Sequence, residues 1–303
     1  MADEAATLAK ADLVTDMVGE FPELQGIMGA YYARHDGCRD AIADAIEDHY
    51  KPRFAGDALP RNDVGICVAL ADKLETLVGL FSIGEKPTGD KDPFALRRHA
   101  LGVIRMLVER DLPLAVPLLV MTGAATMPQG AVDVDDVMAF LVDRLVGHLR
   151  ELDYSAQEVD AVVSARPQRW AECPRRLAAV RAFAQLPESA ALAAANKRIA
   201  NILRKSDARP AANIEPERLV EPAERALHAA LLNIAPKADE LFDEGEYTVS
   251  LRELAALRTP VDAFFDSVMV NADDPKLRAN RLALLQRLHQ SMNRVADLSK
   301  LAS

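Results

Sequence analysis

Aromatic residues fill only 5 % of the 303 positions, with a single Trp, while alanine and leucine abound. Sheets draw on β-branched and aromatic side chains and helices on alanine and unbranched ones, so this balance excludes a sheet-dominated core and favours packed helices. Cysteine is scarce as well. Cys38, Cys67 and Cys173 are odd in number, far apart and outside any CxxC pair. They form neither a zinc site nor a disulfide framework, and they suit a reducing cytoplasm. Residues 112–121 make the longest apolar run and hold two prolines. Ten residues are too few to span a bilayer, so no membrane partner is expected. Asp3 and Glu4 stand where a signal peptide would carry positive charge, and none is expected.

Catalytic signatures are missing too. The chain has no Walker loop, no dinucleotide-binding GxGxxG, no HExxH and no GxSxG elbow. The pairs Asp135-Asp136 and Asp273-Asp274 sit at predicted helix starts, where capping accounts for them. His99, His148, His228 and His289 fall on separate predicted helices, in no catalytic motif. No catalytic residue and no metal ligand is assigned from these patterns.

What is present is helical periodicity almost throughout. Segments 3–18, 23–33, 40–50, 64–80, 93–110, 134–150, 156–164, 174–185, 188–205, 222–242, 248–256, 260–270 and 275–300 are predicted helices. Residues 206–222, with three prolines and little periodicity, read as a long loop. The expected fold class is all-α, in a chain long enough for two cores. The expected division is 1–125, a connecting region 126–186, and 187–303, the first break resting on Gly123, Pro128 and Gly130.

Charge carries more information than its total. The net charge of −10 argues against indiscriminate nucleic-acid binding, and DNA is not an expected partner. Yet residues 164–209 hold ten Lys or Arg against three acidic residues, a local +7 that leaves −17 elsewhere. Segregation of this size can create a positive surface on an acidic protein. Inside that window Lys197, Asn201 and Arg204 recur at i, i+4 and i+7 on one helical stripe, flanked by Arg198 and Lys205. Such a strip can hold RNA phosphates while the amide meets a base or a 2′-hydroxyl. A second feature is the loop 84–92, with Lys86 and Lys91, running into Asp92-Pro93. This pair is a predicted N-cap and first helical residue, with Arg97 and Arg98 just inside the helix.

The wording of 84–98, with Lys10-Ala11-Asp12-Leu13-Val14-Thr15, the stretch 17–26, Pro52-Arg53-Phe54, Asn196-Lys197-Arg198-Ile199 and Asp262-Ala263-Phe264-Phe265, resembles the β-subunit family of heterotetrameric bacterial glycyl-tRNA synthetases. Complete members are more than twice as long, so the chain looks like their C-terminal portion. The resemblance implies several things. Residues 1–125 would form an HD-like helical domain, Leu70-Ala71-Asp72-Lys73-Leu74 being similar to the last helix of HD-type metal-dependent phosphohydrolases. Threonine stands where a ligating imidazole is needed in Leu13-Val14-Thr15-Asp16, so the metal site reads as lost. Residues 187–303 would form a DALR-type anticodon-binding bundle. The implied partners are tRNA-Gly and the α subunit, and ATP with magnesium would be used on that subunit, with no cofactor held by this chain. Asn196, Lys197, Arg198, Asn201, Arg204, Lys205, Arg278 and Arg281 are the expected tRNA contacts. Arg53, Lys86, Lys91, Arg97 and Arg98 are expected to meet tRNA or the partner subunit. Two alternatives stand beside this: an HD-type phosphohydrolase, and a purely structural assembly module.

Overall fold

The computed structural model describes residues 1–128 and 130–302. Among them the backbone is predominantly helical, and the only strand-like pairings are two isolated bridges, Thr88 with Lys91 and Ala115 with Arg169. The chain forms two units, Met1–His148 with Gln168–Ala171, and Leu149–Pro167 with Glu172–Ser303. Residues 126–186, expected as a connecting region, are divided between the two.

The first unit runs through α1 (Ala2–Leu8), α2 (Asp16–Glu20), α3 (Ile27–His35), α4 (Asp40–Asp48), α5 (Asp63–Ser82), α6 (Leu96–Glu109), α7 (Val116–Ala124) and most of α8 (Val134–Glu151). Alanines let these helices approach closely. Ala5, Ala9, Ile42, Ala43, Ala45, Ile46 and Val68 bring α1, α4 and α5 together in one buried cluster. A Cβ on Gly29 would lie 2.7 Å from Ile46 Cγ2, so only glycine lets α3 pack here.

Three departures from the sequence-based expectation have physical causes. A single helix over 3–18 is broken because buried Asp12 leaves helical register to accept from the N–H of Gly26 at 2.7 Å and of Gly29 at 3.0 Å. Its carboxylate satisfies free donors at the start of α3 and complements that end of the helix dipole. The helix after the 84–92 loop begins at Leu96, not Pro93, because Ala95 takes a left-handed φ of 56°. Asp92 still caps it from a distance, accepting from Leu96 N at 2.8 Å and Arg97 N at 3.0 Å. Finally, α7 lies in the proline-bearing apolar run and is not predicted. Pro117 falls in its first turn, where the missing N–H costs nothing.

The second unit contains the end of α8, then α9 (Ala156–Ser164), α10 (Cys173–Ala184), α11 (Ser189–Lys205), α12 (Pro222–Asp243), α13 (Tyr247–Ala255), α14 (Arg258–Ser267) and α15 (Pro275–Met292). The core is built from apolar side chains at helical spacing: Leu192 and Ile199 of α11, Leu227 and Leu231 of α12, Val261 and Phe264 of α14, and Leu284, Leu285, Leu288 and Met292 of α15. Each such side chain contributes about 1.5–3 kcal/mol on full burial. The Asp-Pro start of α15 is as predicted, Asp274 accepting from Lys276 N at 2.9 Å. No helix among the described residues is long and apolar enough to cross a membrane.

Candidate nucleic-acid interface

Helix α11 carries four cations and no carboxylate of its own. Its buried face is Leu192, Ala195 and Ile199, and that packing turns Lys197, Arg198, Asn201, Arg204 and Lys205 to solvent. Local contacts hold the strip in place without neutralising it. Arg204 donates to Asn201 Oδ1 at 2.8 Å, Lys197 reaches the Ala302 carbonyl at 3.4 Å, and Arg198 lies over the ring of Phe265 at 4.2 Å. None of the four is ion-paired among the described residues. Helix-dipole compensation accounts for Arg204 and Lys205 at the C-terminus, but not for Lys197 and Arg198 two turns earlier.

Two expected tRNA contacts do not belong to this surface. Asn196 is 0 % exposed and forms a reciprocal amide pair with Asn293, Nδ2 to Oδ1 at 2.7 Å and back at 3.1 Å. It therefore joins α11 to the chain after α15. Arg281 is 5 % exposed, donating through Nε to Glu224 Oε1 at 2.5 Å and through a terminal nitrogen to the Met269 carbonyl at 2.6 Å. Neighbouring Asn280 is equally inward, exchanging hydrogen bonds with the backbone of Glu215 at 2.8 and 3.0 Å. The wording of 277–282 thus reports packing. A charged residue about two turns into a helix reads the same in sequence whether it faces water or a buried carboxylate; the partner, Glu224, is 57 positions away. Arg278 remains half-buried on α15. Phe264 is core, and Phe265 is the half-buried base for Arg198.

The basic window 164–209 is likewise less positive than its composition. Arg176 is buried, bound to Glu172 at 2.8 Å and stacked on Phe242 and Tyr247. Arg181 is paired with Glu158 at 2.9 Å, a carboxylate from outside the window. What survives as free positive surface is mainly the α11 strip.

In the first unit the five expected contact residues separate. Lys86 is ion-paired with Asp136 and lies over the Phe81 ring, and Arg97 donates to the Gly89 carbonyl, closing the loop on its own helix. Lys91 is exposed on that loop. Arg53 and Arg98 instead converge on one cavity, with Tyr50, Lys73 and His99. Sequence patterns do not single out Tyr50 or Lys73 and leave His99 isolated; the only available signal is the position of Lys73 in the Leu70–Leu74 motif. In that motif Asp72 is engaged by the Lys10 ammonium at 2.6 Å. Among the described residues no three His, Cys, Asp or Glu side chains gather as a metal site would require.

Lys73 is 3 % exposed, and burial brings its ammonium down to about 8. His99 is also lowered, first by burial and then by the Lys73 charge. A lowered lysine gives stability a particular pH dependence. Between pH 8 and 10.5 the unfolded chain holds a proton that the folded chain has released, so the unfolding free energy rises with pH across that window. The expected gain is on the order of 3 kcal/mol. Burial raises Cys173 to about 12, which acts oppositely above pH 9. Urea unfolding at about pH 7.5 and pH 10 should therefore be compared with Lys73→Met, which removes the Lys73 contribution alone. An unchanged pH dependence in that variant contradicts a buried, titrating Lys73.

A family model described as glycyl-tRNA synthetase beta subunit matches residues 1–164, and one described as DALR anticodon binding domain matches residues 192–300. The glycine–tRNA ligase beta subunit of Thiobacillus denitrificans is 66 % identical over 304 residues, covering 100 % of this chain and 43 % of that protein. Those of Leptothrix cholodnii and Dechloromonas aromatica are 65 % and 64 % identical, covering 99 % and 100 % of this chain and 42 % and 43 % of theirs. The chain spans about 43 % of the length of the curated relatives it matches.

Proposed function

The chain belongs to the glycyl-tRNA synthetase β-subunit family, and from that premise we propose that it is the portion that grips tRNA-Gly for glycylation on a separate α subunit. ATP with magnesium is consumed on that subunit, and this chain contributes geometry. Holding the tRNA by its body presents the 3′ end in a reactive position, an orientation effect that needs no catalytic side chain here. The observation that carries the reading is the α11 strip, Lys197, Arg198, Arg204 and Lys205 around Asn201, solvent-facing and without carboxylate partners among the described residues. Its position inside the stretch matched as an anticodon binding domain supports placing the anticodon arm there. Arg278 joins this set as a flanking contact, and exposed Lys91 of the first unit is assigned to tRNA or to the α subunit.

Direct binding tests the reading. The 303-residue chain should retain radiolabelled tRNA-Gly on filters at about 50 mM salt and lose it steeply by about 200 mM, as counterion release demands. Failure to bind at low salt, together with failure to pull down the α subunit, overturns it. Capture of the α subunit without any tRNA affinity would instead make the chain an assembly module.

A further inference from the structure

Tyr50, Arg53, Lys73, Arg98 and His99 line, with Gln25, a cavity of about 290 Å³ in the first unit. They come from the turn after α4, the middle of α5 and the first turn of α6, so only folding gathers them. The lining is one-sided in charge, with Arg53, Lys73 and Arg98 and no carboxylate. Neither the Arg53 nor the Arg98 guanidinium has a carboxylate partner among the described residues. Lys73 gives two of its three N–H groups to the His49 and Tyr50 carbonyls, at 3.2 and 3.3 Å, and keeps one. The carboxylates acting on Lys73 are already held. Asp72 is bound to Lys10, and Asp57 accepts from the backbone N–H groups of Arg53 and Ala58. Tyr50 Oη and His99 Nδ1, on two of the lining residues, are buried and make no hydrogen bond within the protein, an unfavourable state.

The pocket is also built to keep Lys73 where it is. A Cβ on Gly102 would sit 2.7 Å from Lys73 Cε, so the glycine on α6 makes the channel for the lysine stem. A lysine needed only for packing would be replaced by an apolar side chain at no desolvation cost. Here its charge is held below the surface, near its titration point, where a neighbouring anion would restore it fully.

We propose that this cavity binds a terminal phosphate, a phosphomonoester dianion carried by a nucleotide. Two guanidinium groups and an ammonium match a dianion, and the available donors outnumber what the two oxygens of a carboxylate accept. The volume is that of a small-molecule pocket and leaves room for a sugar beside the phosphate. A free nucleoside monophosphate and the 5′ end of an RNA strand present the same group. The cavity and the α11 strip use different residues and are tested with different variants.

Calorimetric titration of the whole chain with AMP at pH 7 is the test. AMP should bind, inorganic phosphate should compete, and adenosine should not bind. Arg53→Gln with Arg98→Gln should weaken AMP at least tenfold while leaving the unfolding midpoint unchanged, since both side chains are exposed. Tyr50→Phe should cost several-fold, and charge removal on α11 should leave AMP affinity intact. An RNA oligonucleotide bearing a 5′-phosphate, compared with its 5′-hydroxyl form, separates the sources. A phosphate preference abolished by the double variant assigns the RNA end, and AMP binding without that preference assigns a free nucleotide. The proposal is overturned if adenosine binds as well as AMP, or if the double variant binds AMP and the 5′-phosphorylated RNA as the wild type does.

Discussion

Arg281→Met is expected to lower the stability of the second unit by about 3–5 kcal/mol, the range for breaking a buried ion pair from one side. The loss is large because Glu224 is 0 % exposed and would be left buried without its cationic partner. Its other oxygen accepts from Glu221 N at 2.8 Å as part of the cap on α12, so the carboxylate cannot turn away without uncapping that helix. The Met269 carbonyl would lose its donor as well. In thermal unfolding this should appear as a drop on the order of 10 °C. Replacing both partners, Arg281→Met with Glu224→Leu, should recover much of it, because no unpaired charge is then left in the core. The folded fraction of the single variant should bind tRNA with an unchanged salt dependence. Wild-type stability combined with weakened tRNA binding would return Arg281 to the RNA surface and refute the buried role.

The opposite profile is expected on α11. Converting Lys197, Arg198, Arg204 and Lys205 together to glutamine should remove roughly 0.7–0.9 of salt slope per lost phosphate contact, about 3 in all. Near 50 mM salt that corresponds to a loss on the order of a thousandfold in tRNA affinity. Stability should change little, because these side chains are exposed and without ion-pair partners among the described residues. The exception is Arg198, whose stacking on Phe265 is worth about 0.5–1 kcal/mol. Filter binding across a salt series, with urea unfolding in parallel, checks both halves. An unaltered slope would remove α11 from the interface. Loss of binding accompanied by unfolding would show that the strip holds the bundle together instead.

These two expectations differ although Arg204 and Arg281 look alike in sequence, each a basic residue on an amphipathic helix. Helices α8, α9, α11, α12 and α15 are legible because their apolar spacing matches one buried face, a property of the segment alone. The α11 strip is legible for the same reason: once Leu192, Ala195 and Ile199 point inward, geometry turns Lys197, Asn201 and Arg204 outward. Asn196 misleads because it sits at the edge of that buried face, and its partner Asn293 is 97 positions away. The break at Asp12 is equally hidden, since its cause is the start of α3 rather than anything local. Lys73 escapes notice because a lysine beside an aspartate reads as a solvated pair, whereas Asp72 turns to Lys10 and Lys73 turns inward under Gly102.

By itself, then, the sequence determined the helical class, nearly all the helices, the absence of familiar catalytic motifs and the cationic stripe on α11, because each follows from periodicity or composition within a short window. Only the tertiary structure decided which charges are free. Lys86, Arg97, Arg176 and Arg281 are consumed by partners or backbone inside the fold, while Arg53 and Arg98 are brought from separate segments to one cavity. The reason is physical: a helix's periodicity is set by neighbours three and four residues away, whereas the fate of a charge depends on the nearest opposite charge in space, wherever it lies along the chain.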